Sequence, residues 1–105
     1  MPQDHERRKH VRRAVLLPCH VDGLPTGTMQ VIDVSEGGCF IATRHAVTAG
    51  SRIAFYATLA GRELLFAGRI VHVKPGRGFA VEFVNLAVET RNQLHQFLDQ
   101  VLTTG

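Results

Sequence analysis

The chain has 105 residues, of which 45% are hydrophobic and 20% charged, a composition ordinary for one soluble globular domain with a single core. No apolar run approaches the roughly 18 to 20 residues of a membrane-spanning helix, and the polar N-terminus lacks the apolar centre of a signal peptide. These features predict a cytoplasmic protein without membrane insertion.

The net charge of +3 lies at the N-terminus. Residues 1–13 hold five of the 12 basic side chains and two of the nine acidic ones, so the other residues are neutral in sum. This stretch contains one β-branched aliphatic residue, Val11, and shows no period that would bury a face. The pattern predicts a flexible basic arm over residues 1–13 and a single domain over residues 14–105. By itself, such a run is most often a solvated tail or a weak polyanion binder.

From Ala14 onward, apolar residues alternate with polar ones, as they do in half-buried β-strands. Gly and Pro clusters separate the alternating runs and predict tight turns. Gly68 falls inside the fifth run, where a closed sheet bends or a bulge forms. The fold class predicted is all-β, a six-stranded antiparallel barrel. The predicted strands span residues 14–21, 28–34, 39–43, 52–59, 63–74 and 79–84.

The period lengthens after the sixth strand. Leu94, Phe97, Leu98 and Val101 recur at intervals of three and four residues, which predicts an amphipathic C-terminal α-helix from about 86 to 102. Its apolar stripe must pack on the barrel or on a partner. Because either surface would suffice, the sequence is compatible with a monomer or a weak dimer.

Catalytic chemistry finds little support in the sequence. The six histidines stand singly, without the spacing of a metal site, and Ser35 lacks the flanking glycines of a nucleophile elbow. No catalytic residue and no metal ligand is therefore predicted, and the protein is not expected to be an enzyme or to need a cofactor. Cys19 and Cys39 are predicted to be buried apolar thiols, although an oxidising compartment could pair them.

Two short motifs carry ligand chemistry. In the basic arm, Arg8 and Arg12 stand four residues apart, and the segment DVSEGG places Asp33, Ser35 and Gly38 at the end of an apolar strand. Arginine can bind phosphate, the guanine edge or a base face, while a carboxylate can accept from guanine N–H groups or orient an arginine. A polyphosphorylated guanine nucleotide would satisfy both motifs, although DVSEGG alone is more often an ordinary turn.

The two motifs in this order resemble those of the PilZ domain, a bacterial receptor module for cyclic di-GMP. The family pattern is Arg-x-x-x-Arg in an N-terminal arm, followed by Asp/Asn-x-Ser-x-x-Gly on a six-stranded barrel with a C-terminal helix. The segment GRIVHVKPGRGFAVEFVNL is also similar to the family's last hairpin and its entry into the helix. The resemblance covers nearly the whole chain.

The resemblance implies that Arg8 and Arg12 bind phosphate and guanine, and that Asp33, Ser35 and Gly38 line the floor under a base. It implies a weaker role for Arg7, at a position that influences whether one nucleotide or an intercalated pair is bound. The arm would order over the barrel on binding cyclic di-GMP and signal to an unidentified downstream protein.

Two alternatives remain open at this point. A PilZ-like adaptor could act by protein contact with little nucleotide binding, although the intact motifs argue against it. A small barrel could instead bind single-stranded nucleic acid through the basic arm. The second alternative requires exposed aromatic side chains for stacking, but the chain has no Trp and one Tyr, and its Phe residues mostly alternate inward. No nucleic-acid partner is therefore expected.

Overall fold

The computed structural model describes residues 12–25 and 29–104, the side chains of 101–104 excepted. Six strands and a helix account for most of this part of the chain. Each predicted strand is present, with bounds shifted by at most two residues. The elements are β1 (Arg13–Val21), β2 (Gln30–Val34), β3 (Gly38–Ala42), β4 (Arg52–Leu59), β5 (Arg62–Lys74), β6 (Gly78–Phe83) and α1 (Val88–Thr104).

The strands close into a barrel in the order β1-β2-β3-β6-β5-β4, and every neighbouring pair is antiparallel. Closure leaves no open sheet edge. The ladder between β4 and β5 is the longest, running from Arg52 opposite Arg69 to Leu59 opposite Arg62. The predicted antiparallel barrel is thereby confirmed.

Alternation along the strands fills the interior of the barrel with large apolar side chains. Phe55 stacks on Phe66 with ring centroids 5.3 Å apart, and Phe66 lies at the same distance from Phe83. Ile41 and Phe79 are completely buried beside them. The core therefore sits inside the barrel, and functional groups must come from its outer face, its rims or the connecting loops.

The C-terminal helix packs against β4 and β5. Leu94 is fully buried and Leu98 nearly so, which confirms the predicted apolar stripe for these two residues. The hydroxyl of Thr90 donates to the Leu65 carbonyl of β5 at 3.2 Å. The helix begins at Val88 rather than near 86, and Asn85 in the connection before it adopts a left-handed backbone with φ of 53°.

Two sequence-based expectations need correction. Arg13 is the first residue of β1 rather than the last residue of the arm, because it pairs with Val34 of β2. Of the bend or bulge expected at Gly68, the bulge is absent there, since Gly68 pairs regularly with Ile53 and Phe83, and the register shifts between Ile70 and His72 instead. Gly68 is required for a different reason. A Cβ there would stand 2.3 Å from the Glu82 carbonyl oxygen of β6.

Within the described residues, no helix is long and apolar enough to cross a membrane. Nor do His, Cys, Asp and Glu side chains from the same part of the chain gather into a group that could hold a metal ion.

Candidate functional site

The two sequence motifs meet at one corner of the barrel. β1 begins beside the end of β2, with Arg13 opposite Val34 and Ala14 opposite Asp33. This register brings the guanidinium of Arg12 to the Asp33 carboxylate, and Nη1 donates to Oδ1 at 2.5 Å. Arg12 and Asp33 retain 51% and 30% of their side-chain exposure, so the pair is open to solvent and to a ligand.

Strand irregularities set the position of Asp33. Val31 and Val34 are both buried although they stand three positions apart, which a regular strand with a period of two does not allow. The ladder between β2 and β3 shifts at Ile32, and the ladder between β1 and β2 shifts between Ala14 and Leu17. The extra residue in β2 keeps both valines in the core and leaves the Asp33 carboxylate accessible beside the start of β1.

Ser35 is buried in the turn that joins β2 to β3. Its hydroxyl oxygen accepts from the Gly37 N–H at 3.2 Å and lies 3.4 Å from the Gly38 carbonyl, while its own N–H donates to that carbonyl at 2.8 Å. The Ser35 side chain therefore stabilises the turn through hydrogen bonds inside it. It fixes the backbone that follows Asp33.

Gly38 lies where β3 approaches β6 too closely for any side chain. A Cβ on Gly38 would stand 2.1 Å from the carbonyl oxygen of Val81. The neighbouring Gly37 also contacts β6, because its carbonyl accepts from the Phe83 N–H at 2.9 Å. Gly38 is therefore needed for the close packing of β3 on β6, which the sequence alone did not indicate.

The structure brings together four of the six predicted site residues. Arg12 and Asp33 are in contact, and Ser35 and Gly38 belong to the turn that directly follows Asp33. Arg7 and Arg8 lie outside the described residues. No contact is therefore stated for either of them.

Three further side chains border this corner and were missed in the sequence. Leu16 and Ile32 both lie in the segments where β1 and β2 lose register, with 68% and 37% of their surface exposed. Leu16 could have been found as an apolar residue on the polar phase of an alternating strand. From α1, His95 places Nε2 3.5 Å from Oε1 of Glu36 in the motif turn, a contact for which the sequence has no signal.

Both cysteines are free thiols, and Cys39, at 1% exposure, confirms the prediction of burial, whereas Cys19 is half-buried against the core. Burial raises the pKa of the Cys19 thiol to about 11. Burial raises the pKa of Cys39 further, the negative charges of Cys19 and Asp33 add to that rise, and Arg12 lowers it. Neither thiol is activated as a nucleophile at neutral pH.

A cavity of about 690 Å³ lies elsewhere on the barrel, and none of Arg12, Asp33, Ser35 and Gly38 lines it. The motif corner is instead an open surface built from an ion pair, a tight turn and exposed apolar side chains. It could accept a flat or extended anionic ligand without enclosing it.

Several solved chains share this fold, and two of them are compared with this chain. The inhibitor of motility MotI/DgrA of Bacillus subtilis superposes with a TM-score of 0.77 at 14% identity, over 94% of this chain and 53% of that one. The chain thus spans about half the length of MotI/DgrA. The PilZ domain of CeSA from a cellulose-synthesizing bacterium superposes with a TM-score of 0.63 at 20% identity, over 86% of this chain and 97% of that one.

No curated protein sequence shows significant similarity to the chain. The family model of the PilZ domain, however, matches residues 6–100, which include both motifs, all six strands and most of the helix. The chain therefore belongs to the PilZ domain family.

Proposed function

We propose that the protein is a cyclic di-GMP receptor and adaptor whose N-terminal arm changes conformation when the nucleotide binds. The observation that carries the proposal is the 2.5 Å contact between Arg12 of the first motif and Asp33 of the second. Residues 21 positions apart converge on one accessible corner, and a turn with a purely structural function would not need this arginine.

The chemistry of the corner fits a guanine nucleotide. Arg12 can donate two parallel hydrogen bonds to a phosphate or to the O6 and N7 atoms of guanine. Asp33 can accept from the guanine N1–H and amino group, and the exposed apolar pair Leu16 and Ile32 offers a surface for a base. Arg8 would supply the second basic group, and Arg7 would influence whether one nucleotide or two are bound.

The Arg12–Asp33 pair also suggests how the switch operates. An ion pair this exposed contributes only about 0.2 to 1 kcal/mol, so a dianionic ligand can displace either partner at little cost. Ordering the arm costs about 1 to 2 kcal/mol for each residue that is fixed. The charge-assisted bonds to two arginines would have to exceed that cost. The shape and charge of the corner would then differ between the two states, and a downstream protein could read the difference.

The proposal is tested by isothermal titration of cyclic di-GMP into the wild-type chain and into Arg12→Ala and Asp33→Ala. Each substitution removes a charged hydrogen-bonding group, and we expect the affinity to fall roughly tenfold or more. Arg8→Ala should have a similar effect. Unchanged affinity in Arg12→Ala and Asp33→Ala would contradict the assignment.

Arg62→Ala is the matched control. Arg62 donates to Glu89 of α1 at 3.0 Å and its side chain is 54% exposed, so its environment resembles that of Arg12, but neither Arg62 nor Glu89 belongs to either motif. The Arg62→Ala variant should bind cyclic di-GMP with the affinity of the wild type. A wild-type chain that bound no cyclic di-GMP would favour the alternative of an adaptor that acts by protein contact.

The nucleic-acid alternative gains no support from the positions of the aromatic rings. Phe55, Phe66 and Phe79 are buried in the barrel, and Tyr56 is the one aromatic side chain that the described residues expose. Sequence-tolerant binding of single strands relies on several exposed rings. Oligonucleotide binding that weakened steeply with salt, without preference for cyclic di-GMP, would revive this alternative.

A further inference from the structure

A cavity of about 690 Å³ lies away from the motif corner, within the range of roughly 300 to 1,000 Å³ that is usual for small-molecule sites. Its walls come from the loop after β1, the connection between β3 and β4, the start of β4, the middle of β5, and the segment after β6. The apolar lining includes Val21, Leu24, Val47, Ile53, Ile70 and Val84.

Backbone hydrogen bonds fix these walls to one another. The N–H of Asp22 donates to the Ala54 carbonyl at 3.0 Å, and the N–H of Val84 donates to the Ala67 carbonyl at 3.0 Å. The β3–β4 connection is held to β5 from both directions, because Ile70 N–H donates to Ser51 and Gly50 N–H donates to Ile70. The cavity is therefore preformed, and a ligand entering it need not order its walls.

Two arginines give the cavity its charge. Arg52 of β4 lies directly opposite Arg69 of β5 in the ladder, and both line the cavity and are exposed. Within the described ranges, the basic partners of the ion pairs are Arg12, Arg62 and His95, so neither Arg52 nor Arg69 forms one, although Glu82 of β6 lies opposite Arg69 on its other side. Like charges directly opposite on neighbouring strands repel, and an anion between them would relieve the repulsion.

From this arrangement we propose that the cavity binds a small amphipathic anion, one carboxylate or phosphate group on an aliphatic body. The anionic group would lie between Arg52 and Arg69, where two guanidinium forks can donate to it. The body would lie on the aliphatic lining, with Asp22 as the one acidic side chain at the margin. This site is separate from the motif corner and goes beyond the proposed function.

The test uses octanoate as the probe and octanol as its uncharged counterpart, titrated into the full chain labelled with ¹⁵N. We expect octanoate to shift the amides of the cavity lining in a saturable manner, and octanol to bind at least roughly tenfold more weakly because it has no charge for the arginines. Equal binding of both probes, or no saturable shift with octanoate, would overturn the proposal.

The variants Arg52→Gln and Arg69→Gln locate the binding. Each should weaken octanoate roughly tenfold and leave the affinity for cyclic di-GMP unchanged, while Arg91→Gln, an exposed arginine of the helix outside the lining, should bind octanoate as the wild type does. Arg52→Gln should also raise the melting temperature of the ligand-free chain, since it removes a like-charge contact, whereas Arg69→Gln also removes the charge opposite Glu82. Unchanged octanoate affinity in both cavity variants would overturn the proposal.

Discussion

At the scale of single residues, the glycine and serine of the second motif are explained first by the fold. Gly38 leaves room for the Val81 carbonyl, and the Ser35 hydroxyl bonds within its own turn. The Asp33 side chain makes no comparable contact within the turn, since its described partner is Arg12 across the corner. The motif therefore combines residues that shape the turn with one that presents a carboxylate.

This division predicts the effect of Gly38→Ala. The added methyl group would stand 2.1 Å from a backbone oxygen, so β3 and β6 must separate, and we expect the free energy of unfolding to fall by more than about 2 kcal/mol. Gly76→Ala is the control, because it adds the same methyl where no atom lies within 4 Å and costs only about 1 kcal/mol of backbone strain. Urea denaturation compares the two.

The contrary result for Gly38 is equally clear. If Gly38→Ala unfolded at the wild-type urea concentration and still lost cyclic di-GMP binding, the glycine would be needed for the ligand rather than for the approach of β3 to β6.

At the scale of elements, the strands were predicted well because alternation is a local signal. β4 occupies the predicted range without change, and the other strands shift by one or two residues at turns. The bulge at Ile32 could not be predicted, because the sequence shows Val31 and Val34 as apolar but does not say which face each one takes. The Glu36–His95 contact depends on how the helix docks, which no local pattern encodes.

The helix supplies a prediction at this scale. Leu94→Ala should lower the free energy of unfolding by about 2 to 5 kcal/mol, because Leu94 is fully buried between the helix and the barrel and its removal leaves a cavity. Val88→Ala in the first turn, 69% exposed, should change it by less than about 0.5 kcal/mol. Denaturation midpoints measure both. Equal effects would mean that the stripe does not hold the helix on β4 and β5.

At the scale of the whole molecule, the surplus positive charge and the carboxylate of the site lie in different parts of the chain. Residues 14–105, neutral in sum, carry the carboxylate and the turn, while residues 1–13 carry the positive charge. Arg12 and Asp33 could be predicted as members of one site because the resemblance to the PilZ domain linked two motifs that lie far apart in the chain. The register of β1 against β2 supplies the physical reason for their meeting. The cavity could not be predicted from the sequence, because the residues that line it come from five separate segments.

The most direct measurement of the central claim is a titration of cyclic di-GMP into the ¹⁵N-labelled chain, followed by amide chemical shifts. We expect saturable shifts in the basic N-terminal residues and in residues 33–38, and we expect these shifts to be lost in Arg12→Ala and retained in Arg62→Ala. Shifts around Arg52 and Arg69, with residues 33–38 unmoved, would contradict the motif corner as the nucleotide site. The absence of any shift at saturating nucleotide would contradict the receptor function itself.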